Sequence, residues 1–548
     1  MNNYYIDPSF TGASDGTINA PFKSFGAMLA AGITHPCTIG LKRGTVLVEN
    51  VLAGSALKNT TNQYSYITDY GDKKLPKPVW INSTVWGSQE SGYTYTGQHL
   101  TSRNTRNLII SNINFSMRSY DIYKPITGAL PIETIWLRLE ILNGSTEPTI
   151  DANVWVQDCK FSAAVIEGTA RRSNYEAVIH IIVTSSGAYR ADKFGVKGCD
   201  FVGVSRAITC TGNHSYAADT TDNSQGTLYS RGVQVENCSF VRNGRGAVLF
   251  QGVESALSAE TPDVLQSYMA NCNYSRYRWD SMNDNDTAQS ADAAFWTWRC
   301  NRILIERIYG GGSYSLNLDC ELIDFDYLTW DSVARHCVSF HNSAILLSMG
   351  ASSLTSQGAA RAPYNSGLYT VDQYFYARRN GQGNNVIKEC VSYNDGVDLG
   401  NDAFIPYAGF IKTGGGAGTY NLTVQNCLCI DTVSRFSKPL ITTLPLMSTP
   451  GLEKVKLINN VFIFPYLAKA SLLPTISASQ EVAGTRIESN RFYCVPLDLT
   501  SINDNLSQGS NVINTTFGYP NSLVNIPRQV PPSLEESLGL LKTLGLMS

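Results

Sequence analysis

Only 16 % of the 548 residues are charged and the net charge is −3, against roughly 25 % charged in an average domain, so the chain offers no basic face to a nucleic acid. No apolar run approaches the roughly 18 residues of a membrane span. The opening MNNYYIDPSF lacks a basic segment followed by an apolar core, so neither membrane insertion nor a signal peptide is expected. Length alone would allow several domains, but no Gly/Ser-rich or Pro-rich linker divides the chain. Gly, Asn, Ser and Thr take the place of charge, the balance of a turn-rich β-protein.

In chain order, six stretches share one pattern: NLIISNINF (107–115), NVWVQDCKF (153–161), FGVKGCDF (194–201), GVQVENCSF (232–240), NLTVQNCLC (421–429) and KVKLINNVF (454–462). Apolar residues alternate with polar ones, as in a strand with one buried face. A turn former follows at Asn112, Asp158, Gly198, Asn237, Asn426 or Asn460. Asn tolerates a left-handed backbone and can hydrogen-bond its copies above and below. A Cys or aliphatic residue then resumes the inward alternation, usually with Phe two residues on. A strand–turn–strand unit that repeats at irregular spacing is the mark of a solenoid with inserted loops. Tight Asn-Gly hairpins, which a sandwich or propeller needs, are scarce. The widest interruption runs from Asn237 to Arg307 and holds the Asp-rich stretch Asp280–Asp292.

There are thirteen cysteines, and Cys159, Cys199, Cys238, Cys390 and Cys427 fall at or near one repeat position. They read as stacked core thiols rather than a disulfide framework, which suits folding in a reducing cytoplasm. These features imply an all-β chain, a right-handed parallel β-helix with long loops. Residues 1–100 form its N-terminal cap and first coils. Residues 101–500 form the main helix, with insertions notably at 252–300, and 501–548 form a C-terminal extension.

The opening YYIDPSFTGASDGTINAPFKSFGAMLAAG and the stretch IGLKRGTVLVEN…YITDYGDKKLPKPVW resemble the first coils of right-handed β-helix proteins of the pectate-lyase-like superfamily. CNRILIERIYGG and LIDFDYLTWDSVARHCVSFHNSAILLSMG are similar to a segment of bacterial and phage β-helix proteins. The resemblance implies a short helix around Phe22–Ala31 that caps the open end of the barrel. It covers most of the chain but matches no single enzyme family.

Outward acids on such a wall are the candidates for chemistry. In ILIERI, Ile303 and Ile305 alternate inward and Glu306 faces out; in LIDFDYL, Ile323, Phe325 and Tyr327 point in and Asp324 and Asp326 share the outer face, about 7 Å apart. Glu306 precedes them by 18 to 20 residues, close to one short coil, which would set it one rung away. Three carboxylates so placed fit glycoside hydrolysis: one is held protonated and another ionised to activate water. Trp296, Trp298, Tyr314 and Trp330 are close in sequence and could stack on sugar rings. Several phage tailspikes of this fold resemble the chain in placing a Glu and two Asp on the outer wall.

Asp395, Asp398 and Asp402 in SYNDGVDLGND resemble part of the calcium-binding segment of pectate lyases, with one paired Asp missing. They read either as Ca²⁺ ligands or as a turn held by Asp side chains. A lyase also needs a base, and Lys388 is nearby. His336 and His341 read as substrate-binding or as strand-end residues that satisfy a turn. The C-terminal PPSLEESLGLLKTLGLMS offers a capping box, Ser533 with Glu536. Leu534, Leu538, Leu541 and Leu544 then lie on one helical face, to cover an open barrel end or pack between protomers.

The function expected is that of a tailspike-like depolymerase: a homotrimer on a virion tail that hydrolyses a bacterial surface polysaccharide. A secreted polysaccharide lyase and a non-catalytic glycan-binding β-helix are the rivals.

Overall fold

The computed structural model describes residues 1–82, 98–116, 135–142, 149–162, 177–184, 190–204, 206–212, 229–241, 243, 246–275, 293–312, 321–326, 329–349, 384–398, 403–404, 410–414, 419–420, 422–431, 438–439, 441–443, 452–453, 456–464, 470–471, 486–494, 497–498, 512–514 and 532–548. The chain forms two compact units. The first comprises residues 1–218, 224–256 and 263–267, and the second 219–223, 257–262 and 268–548.

Each unit is a parallel β-helix, right-handed as parallel crossovers are. A coil gives one strand to each of three parallel walls, numbered here in the order the chain meets them. In the first unit, Thr149–Gln157, Lys160–Ser162 and Ala177–Thr184 make one coil. Val154 stands over Leu108, Phe161 over Phe115 and Ile179 over Leu137.

The corner between the first and second walls explains the repeat. One residue there adopts a left-handed backbone: Asn112, Asp158, Gly198 and Asn237 in the first unit, and Asn271, Arg307, His336, Glu389, Asn426, Asn459 and Ser489 in the second, all with φ between 51° and 62°. The next residue points inward: Cys159, Cys199 and Cys238 in one unit, Cys272, Cys337, Cys390 and Cys427 in the other, all buried. Each thiol donates to the carbonyl two residues back, as Cys159 Sγ does to Gln157 at 3.2 Å.

Two details of the sequence reading change. The gap between Asn237 and Arg307 contains another coil, with its turn at Asn271 and Tyr274 in the Phe position. In the last clear repeat Asn459, not Asn460, makes the turn. Its Nδ2 donates to Asn426 Oδ1 at 3.0 Å. Asn460 is inside, where its Oδ1 accepts the Cys427 N–H at 2.9 Å and its own N–H is accepted by Asn490 Oδ1 at 2.8 Å.

Inside the second wall of the first unit, Trp80, Phe115, Phe161, Phe201 and Phe240 stack with centroids 5.7, 4.9, 5.0 and 5.2 Å apart. Helix α1 (Phe25–Ala31) closes the end of this column, with Phe25 5.3 Å from Trp80. It is the cap expected there. Both oxygens of Glu49 accept its first N–H groups, from Phe25 and Gly26 at 2.8 Å, which also places a negative charge at the helix N-terminus.

Helix α2 (Leu534–Thr543) carries the expected capping box: Ser533 Oγ accepts the Glu536 N–H at 3.3 Å and Glu536 Oε2 accepts the Ser533 N–H at 2.9 Å. It lies along the outer face of the second wall of the second unit rather than over a barrel end. Leu538, Leu541 and Leu546 pack on Val338, Phe340, Val391, Tyr393, Leu428, Ile430, Val461 and Ile463. The strand sequences give the reason. In the first unit the outward positions of this wall include Lys160, Asp200 and Ser239, whereas VSF, VSY, LCI and VFIF in the second put apolar or aromatic residues on the outward positions. A wall buried on both sides reads that way.

Candidate functional site

The third wall of the second unit carries two of the candidate acids. Strand Phe295–Trp298 pairs with Ile323–Phe325 so that Trp296 stands beside Asp324. Phe295, Thr297, Ile323 and Phe325 fill the interior at 0 % exposure, leaving Trp296 and Asp324 on the outer face. Alternation in the sequence assigned these faces as observed. Asp324 is nevertheless only 3 % exposed. Asp326 follows at the strand end, where its N–H donates to Thr297 O at 3.1 Å and its carbonyl accepts the Thr329 N–H at 3.0 Å. The Trp296 indole Nε1–H donates to Asp326 Oδ2 at 2.8 Å. One aromatic side chain therefore stands beside the first acid and fixes the second. Trp298 is half-buried on the same strand.

Glu306 does not join them. It lies on the first wall, in a row with Arg335 and Lys388. Arg335 Nε donates to Glu306 Oε2 at 2.8 Å, and its Nη1 donates to Glu260 Oε1 at 2.8 Å, which also takes Lys388 Nζ at 2.7 Å. Burial raises the Glu260 carboxyl, but Lys388 and Arg335 outweigh it and hold it below the ordinary range. Ala259 packs beside Glu260 against Leu304 and Val333, so the network fastens segment 257–262 to the wall. The three-carboxylate cluster fails because a coil here is 29 residues, from Glu306 to Arg335. Eighteen residues carry the chain past two corners to another wall. Lys388 is likewise engaged and not placed as a base.

The remaining candidates are dispersed. Trp330 lies at a coil corner, bridged to Asn301. His336 is a left-handed turn residue whose Nε2 stands 2.7 Å from Glu389 Oε2 on the next coil, the turn-satisfying role. His341 is 8 % exposed, and burial lowers its pKa against the opposing effects of the Asn394 backbone and Asp431. Tyr314 and Asp402 lie outside the described residues, as does the stretch Asp280–Asp292. Asp398 belongs to the short strand Val397–Asp398, antiparallel to Ala403–Phe404.

Asp395 is fully buried: Oδ1 accepts the Asn342 N–H at 2.9 Å and Oδ2 accepts Ser392 Oγ–H at 2.5 Å. Its carboxylate serves the interior of the coil and does not fit a calcium ligand facing solvent. Among the described residues no group of three His, Cys, Asp or Glu stands close enough to hold a metal. Sequence reading missed Glu260, whose segment has no strand alternation, and the hydrogen bond from Trp296, which no spacing reveals.

No protein-family model matches the chain, and no curated protein matches it. Among solved structures, a native GH136 lacto-N-biosidase from Eubacterium ramulus is similar at a TM-score of 0.49 and 14 % identity, over 90 % of this chain and 68 % of the other. A rhamnogalacturonan lyase gives 0.37 and 11 %, over 84 % and 87 %. The pectate lyase Pel9A gives 0.30 and 11 %, over 97 % and 88 %.

Proposed function

We propose that this chain hydrolyses a bacterial surface polysaccharide on the third wall of the second unit, with Asp324 and Asp326 as the working carboxylates. The observation that carries this is the Trp296 indole, beside Asp324 in register and bonded to Asp326. Burial disfavours the charged form of a carboxyl and a donated hydrogen bond favours it. The 3 % exposure of Asp324 thus suits the acid that protonates the leaving oxygen, and Asp326 suits the base that activates water. Asp326 follows Asp324 by two residues just past the strand end; at about 7 Å, the spacing of extended chain, there is room for a water between acid and base, as in inverting enzymes. Trp296 and Trp298 supply apolar faces for sugar rings. The proposal extends to a homotrimer carried on a virion tail, whose stoichiometry light scattering would read.

A lyase is the second reading. The register sets position 412, a lysine, two rungs beyond Asp324 on the same wall.

The test is turnover of Asp324→Asn and Asp326→Asn on a panel of capsular and O-antigen polysaccharides. Each substitution is expected to lower cleavage by about 10²-fold or more with the fold intact. Wild-type turnover in both variants on a cleaved glycan would refute the assignment.

A further inference from the structure

The first wall of the first unit carries a second constellation. Strand Arg190–Lys197 sends Phe194 and Val196 inward at 0 % exposure. Lys197 follows Gly195 on the wall and Lys193, with a left-handed backbone at φ 64°, precedes it at the corner, and the register sets Trp155 on the preceding coil and Gln234 on the following coil beside that glycine. Lys193 Nζ is 2.7 Å from Asp151 Oδ2, and Lys197 Nζ is 3.6 Å from Glu236 Oε2 and 4.9 Å from the Trp155 ring centroid. Gly195 has φ 157°, and a Cβ there would lie 1.8 Å from the Gln234 carbonyl oxygen. No larger residue can stand at the centre of this cross, so the position in register with the tryptophan on the next rung carries no side chain, and Lys197 is the side chain over its ring. Trp155 and Gln234 are both half-buried.

We infer that this cross binds one pyranose of a neutral polysaccharide, independently of the carboxylate pair. Its span is about 10 Å across two rungs, enough for a sugar ring. Trp155 offers an aromatic face for the ring's C–H side. The lysines donate and the carboxylates accept, so hydroxyls find both kinds of partner, and Gln234, whose Nε2 donates to Gln266 O at 3.3 Å, borders them. Two ammonium groups and two carboxylates cancel. A uronate would face Asp151 and Glu236, whereas a neutral sugar meets no net charge. The cation over the half-buried ring is a modest contact, and a stacked sugar would take its place.

The test is affinity electrophoresis through gels containing dextran, galactomannan or mixed-linkage β-glucan, with polygalacturonate as the charged control. At least one neutral polymer is expected to retard the wild type more than polygalacturonate does. Trp155→Ala should weaken that retardation about tenfold, as loss of a stacked aromatic contact does, and Gln234→Ala by less. Asp324→Asn should be retarded like the wild type, which separates this site from the catalytic reading. Thermal midpoints establish that each variant is folded. Retardation of both Trp155→Ala and Gln234→Ala equal to wild type would overturn the inference. So would equal retardation by polygalacturonate, or no retardation of the wild type by any neutral polymer.

Discussion

The indole N–H of Trp296 points at Asp326 Oδ2 from 2.8 Å. A neutral donor so placed stabilises the ionised carboxylate. Trp296→Phe keeps the ring and removes the donor. Its pH–rate profile is expected to show the base limb moved toward higher pH, with the fold unchanged. An unmoved limb would assign the tryptophan to packing alone.

Glu306→Gln separates the sequence-based cluster from the geometry. Glu306 serves Arg335 on a different wall from Asp324. Turnover is therefore expected to stay near wild type, while segment 257–262 gains protease sensitivity in the variant. A loss matching that of Asp324→Asn would return Glu306 to the site.

Acid should destabilise the first unit through His99. The ring is fully buried, donates Nε2–H to Ser116 O at 2.9 Å, and burial pushes its pKa down to about 4. The folded pKa lies below the ordinary value near 6.5, so between these values the unfolded chain binds more protons. Stability is thus full above pH ~6.5 and falls as the pH drops toward ~4, by about 3 kcal/mol at the lower end. Denaturant midpoints at several pH values should show this slope, and His99→Gln should flatten it.

Helix α2 holds an apolar wall. Leu541 is fully buried in the cluster with Val391 and Leu428, Arg307 pairs with Glu535, and Arg491 Nη2 donates to the Leu544 carbonyl at 2.7 Å. Leu541→Ala should cost about 2–5 kcal/mol, read from denaturant midpoints. Removing residues 533–548 should expose the wall and drive self-association, read by light scattering.

Of thirteen cysteines, eleven are buried free thiols, leaving Cys320 and Cys494. A thiol reagent on the native protein should modify at most these two, and all thirteen after denaturation.

The strand register was legible because alternation is local: Ile323 and Phe325 inward fix Asp324 outward. Turns at Asn112 or Asn237 were legible because their side chains favour the left-handed backbone. Arg307 and Glu389 adopt the same backbone without that preference, held by N–H bonds to Arg335 O at 3.2 Å and Gln425 O at 3.1 Å on the next coil. Such tertiary constraint leaves no local mark. Glu306 was misplaced for a related reason, since coil length depends on loops that carry no periodicity. The approach of Glu260 to Arg335 joins residues 75 apart, beyond any local pattern. Helix α2 was legible as a helix, but its berth depends on Val391, Tyr393, Leu428 and Ile430, which put apolar side chains on the outward face of the wall.

The most direct test of the central claim is the mass of the products released from the cleaved glycan by wild type and by Asp324→Asn. Wild-type fragments are expected to be heavier than the anhydro repeat by one water, with no unsaturated-product absorbance, and Asp324→Asn is expected to release none. Fragments lacking that water, or fragments released equally by the variant, would contradict the claim.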